Sequence, residues 1–115
     1  MLKVNKNDFT IDTRVRLVKV VDCVYLYNYD EDKSIDIFGI NREAFIECIN
    51  YINDLLYNNL GKELEILRFQ KGYTRKYGGP HVLFKIRGLR LVDNNDNEIV
   101  FHAFWTDFKR MVELI

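Results

Sequence analysis

Residues 81–104 read HVLFKIRGLRLVDNNDNEIVFHAF, and this stretch decides the fold. Two runs rich in β-branched and aromatic residues, 81–92 and 98–104, flank the polar run at 93–97, which predicts two strands joined by a turn. Side chains alternate between the two faces of a strand, so one face of this hairpin is predicted to be core if Val92 lies opposite Ile99. Its members are Val82, Phe84, Ile86, Ile99, Phe101 and Ala103.

The segment before this hairpin adds further strands. Residues 63–71 (ELEILRFQK) read as a strand, and 72–80 (GYTRKYGGP) as the loop that follows it. Residues 14–29 are dense in β-branched and aromatic side chains, and their alternation changes phase near Val20 and Val21, which indicates a bulge or a bend. After a polar break at 30–33, residues 34–40 return as a strand, so 14–40 are predicted to form a β-hairpin.

Two helices are predicted. Asn41 is a suitable N-cap, Glu43 lies near the positive end of the helix dipole, and apolar residues recur at helical spacing over 42–60, with Gly61 ending the helix. Thr106 is predicted to cap a second helix that runs to the end of the sequence. Its apolar stripe is Phe108, Met111, Val112 and Ile115.

The predicted order is therefore β-β-β-α-β-β-β-α, an α+β domain with a mostly antiparallel sheet and two helices. The 115 residues are expected to form one domain, 1–115.

No signal-type or membrane-spanning run occurs, so we expect a cytoplasmic protein. Cys23 and Cys48 fit neither a disulfide framework nor a metal site, and we expect no cofactor. Alanine is rare while Asn, Ile, Lys and Tyr are common, a bias typical of AT-rich phage or mobile-element genomes.

Charge is unevenly distributed along the chain although the net charge is zero. Residues 66–92 contain seven basic residues and no Asp or Glu, whereas 22–65 contain ten acidic and three basic residues. Dense basic sequence attracts phosphate, and interleaved aromatic residues suit stacking on bases. We therefore predict that the hairpin binds an anionic ligand, a nucleic acid or a nucleotide. The predicted ligand-binding residues are Arg68, Lys71, Tyr73, Arg75, Lys76, Tyr77, Lys85, Arg87, Arg90 and His102.

The acidic half supports an alternative function. A protein-interaction factor, such as an immunity, inhibitor or counter-defence protein, would use an acidic surface to cover a basic partner. Its predicted contacts are Asp30, Glu31, Asp32, Asp36, Glu43 and Glu47. A solvated acidic face that binds nothing remains the plainer interpretation of the same residues.

Two further interpretations concern aromatic and histidine residues. Tyr25, Tyr27 and Tyr29 occupy alternate strand positions and are predicted to pack on the helix that contains Phe45, with self-association into a homodimer as the alternative. No nucleophile-elbow motif or metal-ligand spacing occurs, so an enzyme is not favoured. A metal-free nuclease using His81, His102 and an Arg or Lys is the one catalytic alternative.

Overall fold

A computed structural model describes residues 10–35, 41–70 and 81–115. The helices are α1 (Arg42–Tyr57) and α2 (Trp105–Met111). The first strands are β1 (Val15–Leu17), β2 (Val24–Asn28), β3 (Lys33–Ser34) and β4 (Glu63–Gln70). The later strands are β5 (His81–Ile86), β6 (Leu91–Val92), β7 (Glu98–Phe104) and β8 (Val112–Leu114).

All eight strands belong to one sheet, in the order β3-β2-β7-β5-β4-β1-β8, with β6 pairing beside β7. Every strand pair is antiparallel, and the two helices complete an α+β fold, which confirms the predicted class. Neither helix in the described part of the chain is long and apolar enough to cross a membrane.

Both helices pack on one face of the sheet. Ile52 and Leu56 of α1 and Phe108 of α2 share a core with Phe84 and Phe101 of the central strands. Asn41 begins α1 as predicted, because its side chain accepts a hydrogen bond from the Ala44 amide at 2.9 Å. The six residues predicted for the core face are all buried, and all of them except Ile99 belong to the core shared with the helices.

The predicted register of the main hairpin is wrong. Phe84 pairs with Phe101, and Val92 pairs with Glu98 instead of Ile99. The run 81–92 is two strands, because the chain turns after Ile86 through Gly88, whose φ of 83° favours glycine. The error in register leaves the predicted faces of β5 and β7 unchanged, because side chains alternate strictly between the two faces within each of these strands.

The C-terminal helix is shorter than predicted. It begins at Trp105, with Phe104 at the N-cap position, so Thr106 is not the cap. It ends at Met111, and Val112–Leu114 form β8 because Val112 and Leu114 pair with Leu17 and Val15 of β1. Val112 is buried as predicted, but in a strand, and Ile115 is exposed.

The first predicted strand is also divided. The phase change near Val20 and Val21 separates β1 from β2, and these two strands lie far apart in the sheet order. Of the strand predicted over 34–40, residues 36–40 lie outside the described residues. The first helix ends at Tyr57, three residues before the predicted end.

Candidate functional site

The face of the sheet opposite α1 and α2, here called the second face, carries a row of four directly paired residues. Tyr25 on β2 pairs with His102 on β7, His102 pairs with Leu83 on β5, and Leu83 pairs with Arg68 on β4. The pairing therefore crosses the four central strands and places an arginine, a leucine and two ring-bearing residues in one row on the same face. No helix covers this face within the described part of the chain.

A β-bulge directs Arg68 to the second face. Ile66 pairs with Phe84 and Arg68 pairs with Leu83, so two steps along β4 match one step along β5. The additional residue, Leu67, packs with a small apolar cluster that includes Leu83. Bulges reverse the facing of the residues beyond them. Without this one, strict alternation from Ile66 would turn Arg68 toward the helices.

His81 and His102 form a pair in the second face. Their Nδ1 atoms are 3.3 Å apart and their rings are within 12° of parallel. The ring centroids are 5.5 Å apart, farther than the two nitrogens, so the rings meet edge to edge and one Nδ1–H donates to the other Nδ1. Tyr25 and Tyr27 contact the His102 ring at centroid distances of 5.6 and 5.7 Å.

Burial keeps this histidine pair neutral. His102 is 7% exposed, and desolvation, followed by the proximity of His81, lowers its pKa to about 4. Desolvation also lowers the pKa of His81. A neutral imidazole is not a general acid near pH 7, although it is the form that can accept a proton.

Arg68, Tyr27 and Asp32 form the polar cluster of the second face. The Tyr27 hydroxyl donates to Asp32 Oδ1 at 2.6 Å, and Arg68 Nη2 donates to the same Oδ1 and to the Tyr27 hydroxyl at 3.1 Å. The guanidinium carbon lies 5.8 Å from the Tyr27 ring centroid. Tyr27 packs with Leu83 and Val100, which are fully buried although no described helix covers them.

The cluster stabilises a negative charge on Asp32. The hydrogen bond from Tyr27, and then the one from Arg68, hold the pKa of the Asp32 carboxyl below its usual value. Burial, and then donation to Asp32, raises the pKa of Tyr27, and the bond to Asp32 raises the pKa of Arg68. The two donors therefore constitute a site for an anionic oxygen.

The other predicted basic residues do not converge on this site. Lys85 Nζ lies 2.8 Å from Glu98, Arg87 Nε lies 2.5 Å from Glu63, and Arg90 is exposed in the turn between β5 and β6. Of the four predicted ligand-binding bases that the structure describes, three, Arg68 included, are thus paired with carboxylates. Five predicted ligand-binding residues lie outside the described residues. They are Lys71, Tyr73, Arg75, Lys76 and Tyr77.

A groove of 510 Å³ lies beside β4, lined by residues 11–14, 63, 65, 66 and 87. Its two arginines, Arg14 and Arg87, both bind Glu63, at 2.8 and 2.5 Å. The hydrogen bond from Arg14 is the main cause that lowers the Glu63 pKa. Since Asp12 and Glu65 also line the groove, it does not offer an excess of positive charge to an anion.

Three of the six acidic residues predicted for a partner surface are engaged within the molecule. Asp30 accepts the Glu98 amide at 2.6 Å, Glu31 pairs with Lys33 at 3.0 Å, and Asp32 binds Arg68. Glu43 and Glu47 are exposed on α1, and Asp36 lies outside the described residues. The acidic turn 30–32 therefore helps to hold β2, β3 and β7 together.

Sequence reasoning did not place Tyr27 or His81 among the ligand-binding residues. The prediction that the tyrosine stripe packs on the Phe45 helix is wrong for Tyr27, which packs with Leu83 and Val100 on the opposite face. Because β7 is buried on both faces, its histidine is enclosed. The signal in the sequence was the near-continuous apolar run at 99–104, typical of a central strand.

The described residues contain no group of three or more His, Cys, Asp or Glu placed to hold a metal ion. Cys23 and Cys48 are unbridged and partly buried, and burial raises the pKa of both thiols. Comparison of the chain with protein-family models, curated proteins and solved structures gives no match, so its function has to be argued from this geometry.

Proposed function

We propose that the protein binds a phosphate-bearing ligand, a nucleotide or a single-stranded nucleic acid, on the second face, with Arg68 as the contact to phosphate. The observation that carries the proposal is the guanidinium of Arg68, 39% exposed, which holds an anionic oxygen on the same face of the sheet as partly exposed Tyr25 and His81. Arginine pairs well with phosphate oxygens, and aromatic faces stack on bases of any sequence.

The connection between β4 and β5 supplies basic sequence at the other end of the same face. Gln70 pairs with His81, so the chain between β4 and β5 leaves and re-enters the sheet beside the histidine pair. That connecting sequence contains Lys71, Arg75 and Lys76, with no acidic residue. Positive charge at this position in the chain would raise the local concentration of a phosphate ligand and its rate of association.

Binding to a fluorescein-labelled single-stranded oligonucleotide, followed by anisotropy at low salt, tests the proposal. The duplex, a mononucleotide and inorganic phosphate serve as competitors, and a salt series shows how many phosphates are contacted. No binding of any of these probes at low salt would overturn the proposal.

The substitution Arg68→Gln is expected to weaken oligonucleotide binding about tenfold or more, because a hydrogen bond to a charged group contributes about 1.5–3 kcal/mol. Arg16→Gln is the matched control. Arg16 also lies on the second face and is paired with a carboxylate, Glu113, at 2.6 Å, with its side chain 47% exposed. Equal weakening by both substitutions would show that Arg68 has no special role.

A further inference from the structure

Asp32 occupies a position that a ligand oxygen would take. It lies in the turn between β2 and β3 with a φ of 55°, a left-handed conformation that Asp tolerates better than most residues. This conformation accompanies a side chain that reaches back over the second face, where Oδ1 accepts from both Tyr27 and Arg68. The protein thus supplies its own anion to the two donors.

The donors and the carboxylate differ in how firmly they are held. The Tyr27 ring is 3% exposed and packs against His102, and its hydroxyl also accepts from Arg68. The Asp32 side chain is 63% exposed. An ion pair this exposed contributes little to stability, so the carboxylate can be displaced while the donors stay in position.

We propose that Asp32 is a built-in competitor for the ligand, and that the group which displaces it is a phosphomonoester. This inference rests on the proposed function and narrows its ligand class. A phosphodiester carries one negative charge, like the carboxylate that it would replace. A phosphomonoester carries a charge of about −1.5 to −2 near pH 7 and three strong acceptor oxygens. It would therefore bind the two donors more strongly than the Asp32 carboxylate does, whereas a phosphodiester would only replace one single negative charge with another.

Two sources supply this chemistry: the terminal phosphate of a strand and a free nucleotide. The test compares one oligonucleotide with and without a 5′-phosphate, and adds a nucleoside monophosphate as competitor. For the natural sequence we expect the phosphorylated strand to bind at least about fivefold more tightly. Efficient competition by the monophosphate would point to a free nucleotide, and poor competition to a strand end. Equal affinity for the two strands would overturn the assignment of a phosphomonoester.

The substitution Asp32→Asn removes the competing charge and keeps a residue that tolerates positive φ. We expect it to tighten binding of the unphosphorylated strand about threefold to tenfold. Glu113→Gln, which removes the carboxylate partner of Arg16 on the same face, is the matched control and should leave binding unchanged. Tyr27→Phe, which deletes one donor and keeps the ring, should weaken binding of the phosphorylated strand.

The outcomes separate the two proposals. If the natural protein binds and Arg68→Gln abolishes binding, but Asp32→Asn binds no more tightly, the competitor role is overturned and the site stands. If neither the natural protein nor Asp32→Asn binds any probe at low salt, the proposed function itself is overturned. Far-ultraviolet circular dichroism and thermal melts of each variant establish that the compared proteins are folded.

Discussion

Acidification from about pH 7 to about pH 4 is expected to remove about 3 kcal/mol of unfolding free energy through His102 alone. Burial, and then the neighbouring His81, lower the pKa of His102 to about 4 in the folded protein. In the unfolded chain a histidine has a pKa near 6.5. Between about pH 6.5 and about pH 4 the unfolded chain binds a proton at this histidine and the folded protein does not. The contribution of His102 to the unfolding free energy is therefore fully present above about pH 6.5 and is lost as the pH falls to about 4.

Urea unfolding at several pH values measures this effect, with His102→Gln as the comparison. Carboxylates also titrate in the lower part of this range, but they do so in both proteins, so the difference between the two pH profiles isolates His102. His81→Gln should keep most of the pH dependence, because desolvation is the larger cause of the His102 shift. Parallel profiles for the natural protein and His102→Gln would contradict the assignment.

The histidine pair supplies the structural reason for this sensitivity. A neutral pair shares one Nδ1 hydrogen, and a second proton on Nδ1 would leave two donors facing each other across 3.3 Å. The rings of Tyr25 and Tyr27 leave His102 little contact with water that could solvate a charge. Enclosure of His102 therefore stabilises the fold only while the imidazole is neutral.

Local patterns in the sequence predicted the features of the fold that depend only on neighbouring residues. The alternation at 98–104 gave the bounds of β7 and its buried face, and Asn41 gave the start of α1. The C-terminal helix was extended too far because Val112 fits an apolar helical stripe as well as it fits a strand. What decides between them is pairing with Leu17, a contact almost a full chain length away that no local pattern reveals.

The candidate site depends on contacts of the same long-range kind. Segregation of charge along the chain suggested a basic surface, but antiparallel pairing brings the acidic and basic segments side by side. Arg68 meets Asp32, which lies 36 residues earlier, and Arg87 meets Glu63. The bulge at Leu67 determines the face on which Arg68 lies, and no pattern in the sequence ELEILRFQ predicts that bulge.

Truncation of Phe84 to alanine is expected to have the largest effect on stability, a loss of about 3–5 kcal/mol. The Phe84 ring is fully buried, and its centroid lies 5.6 Å from that of Phe101 and 5.0 Å from that of Phe108. Phe84 therefore joins β5 to β7 and to α2, and removal of the ring leaves a cavity that rigid strands cannot close. Val92→Ala, on an exposed strand position, should cost less than about 0.5 kcal/mol.

Chemical denaturation measures both losses, and Phe84→Leu is the milder variant if the alanine protein does not fold. Phe84 and Arg68 lie on opposite faces of the same pair of strands. Substitution of Phe84 should therefore change stability, and substitution of Arg68 should change binding. Phe84→Leu should lower the unfolding free energy and leave oligonucleotide affinity unchanged in the folded fraction. Arg68→Gln should lower affinity with little effect on stability, since its ion pair is exposed. A loss of affinity in both proteins, with the fold retained, would mean that the two faces are not independent, and the assignment of binding to the second face would be wrong.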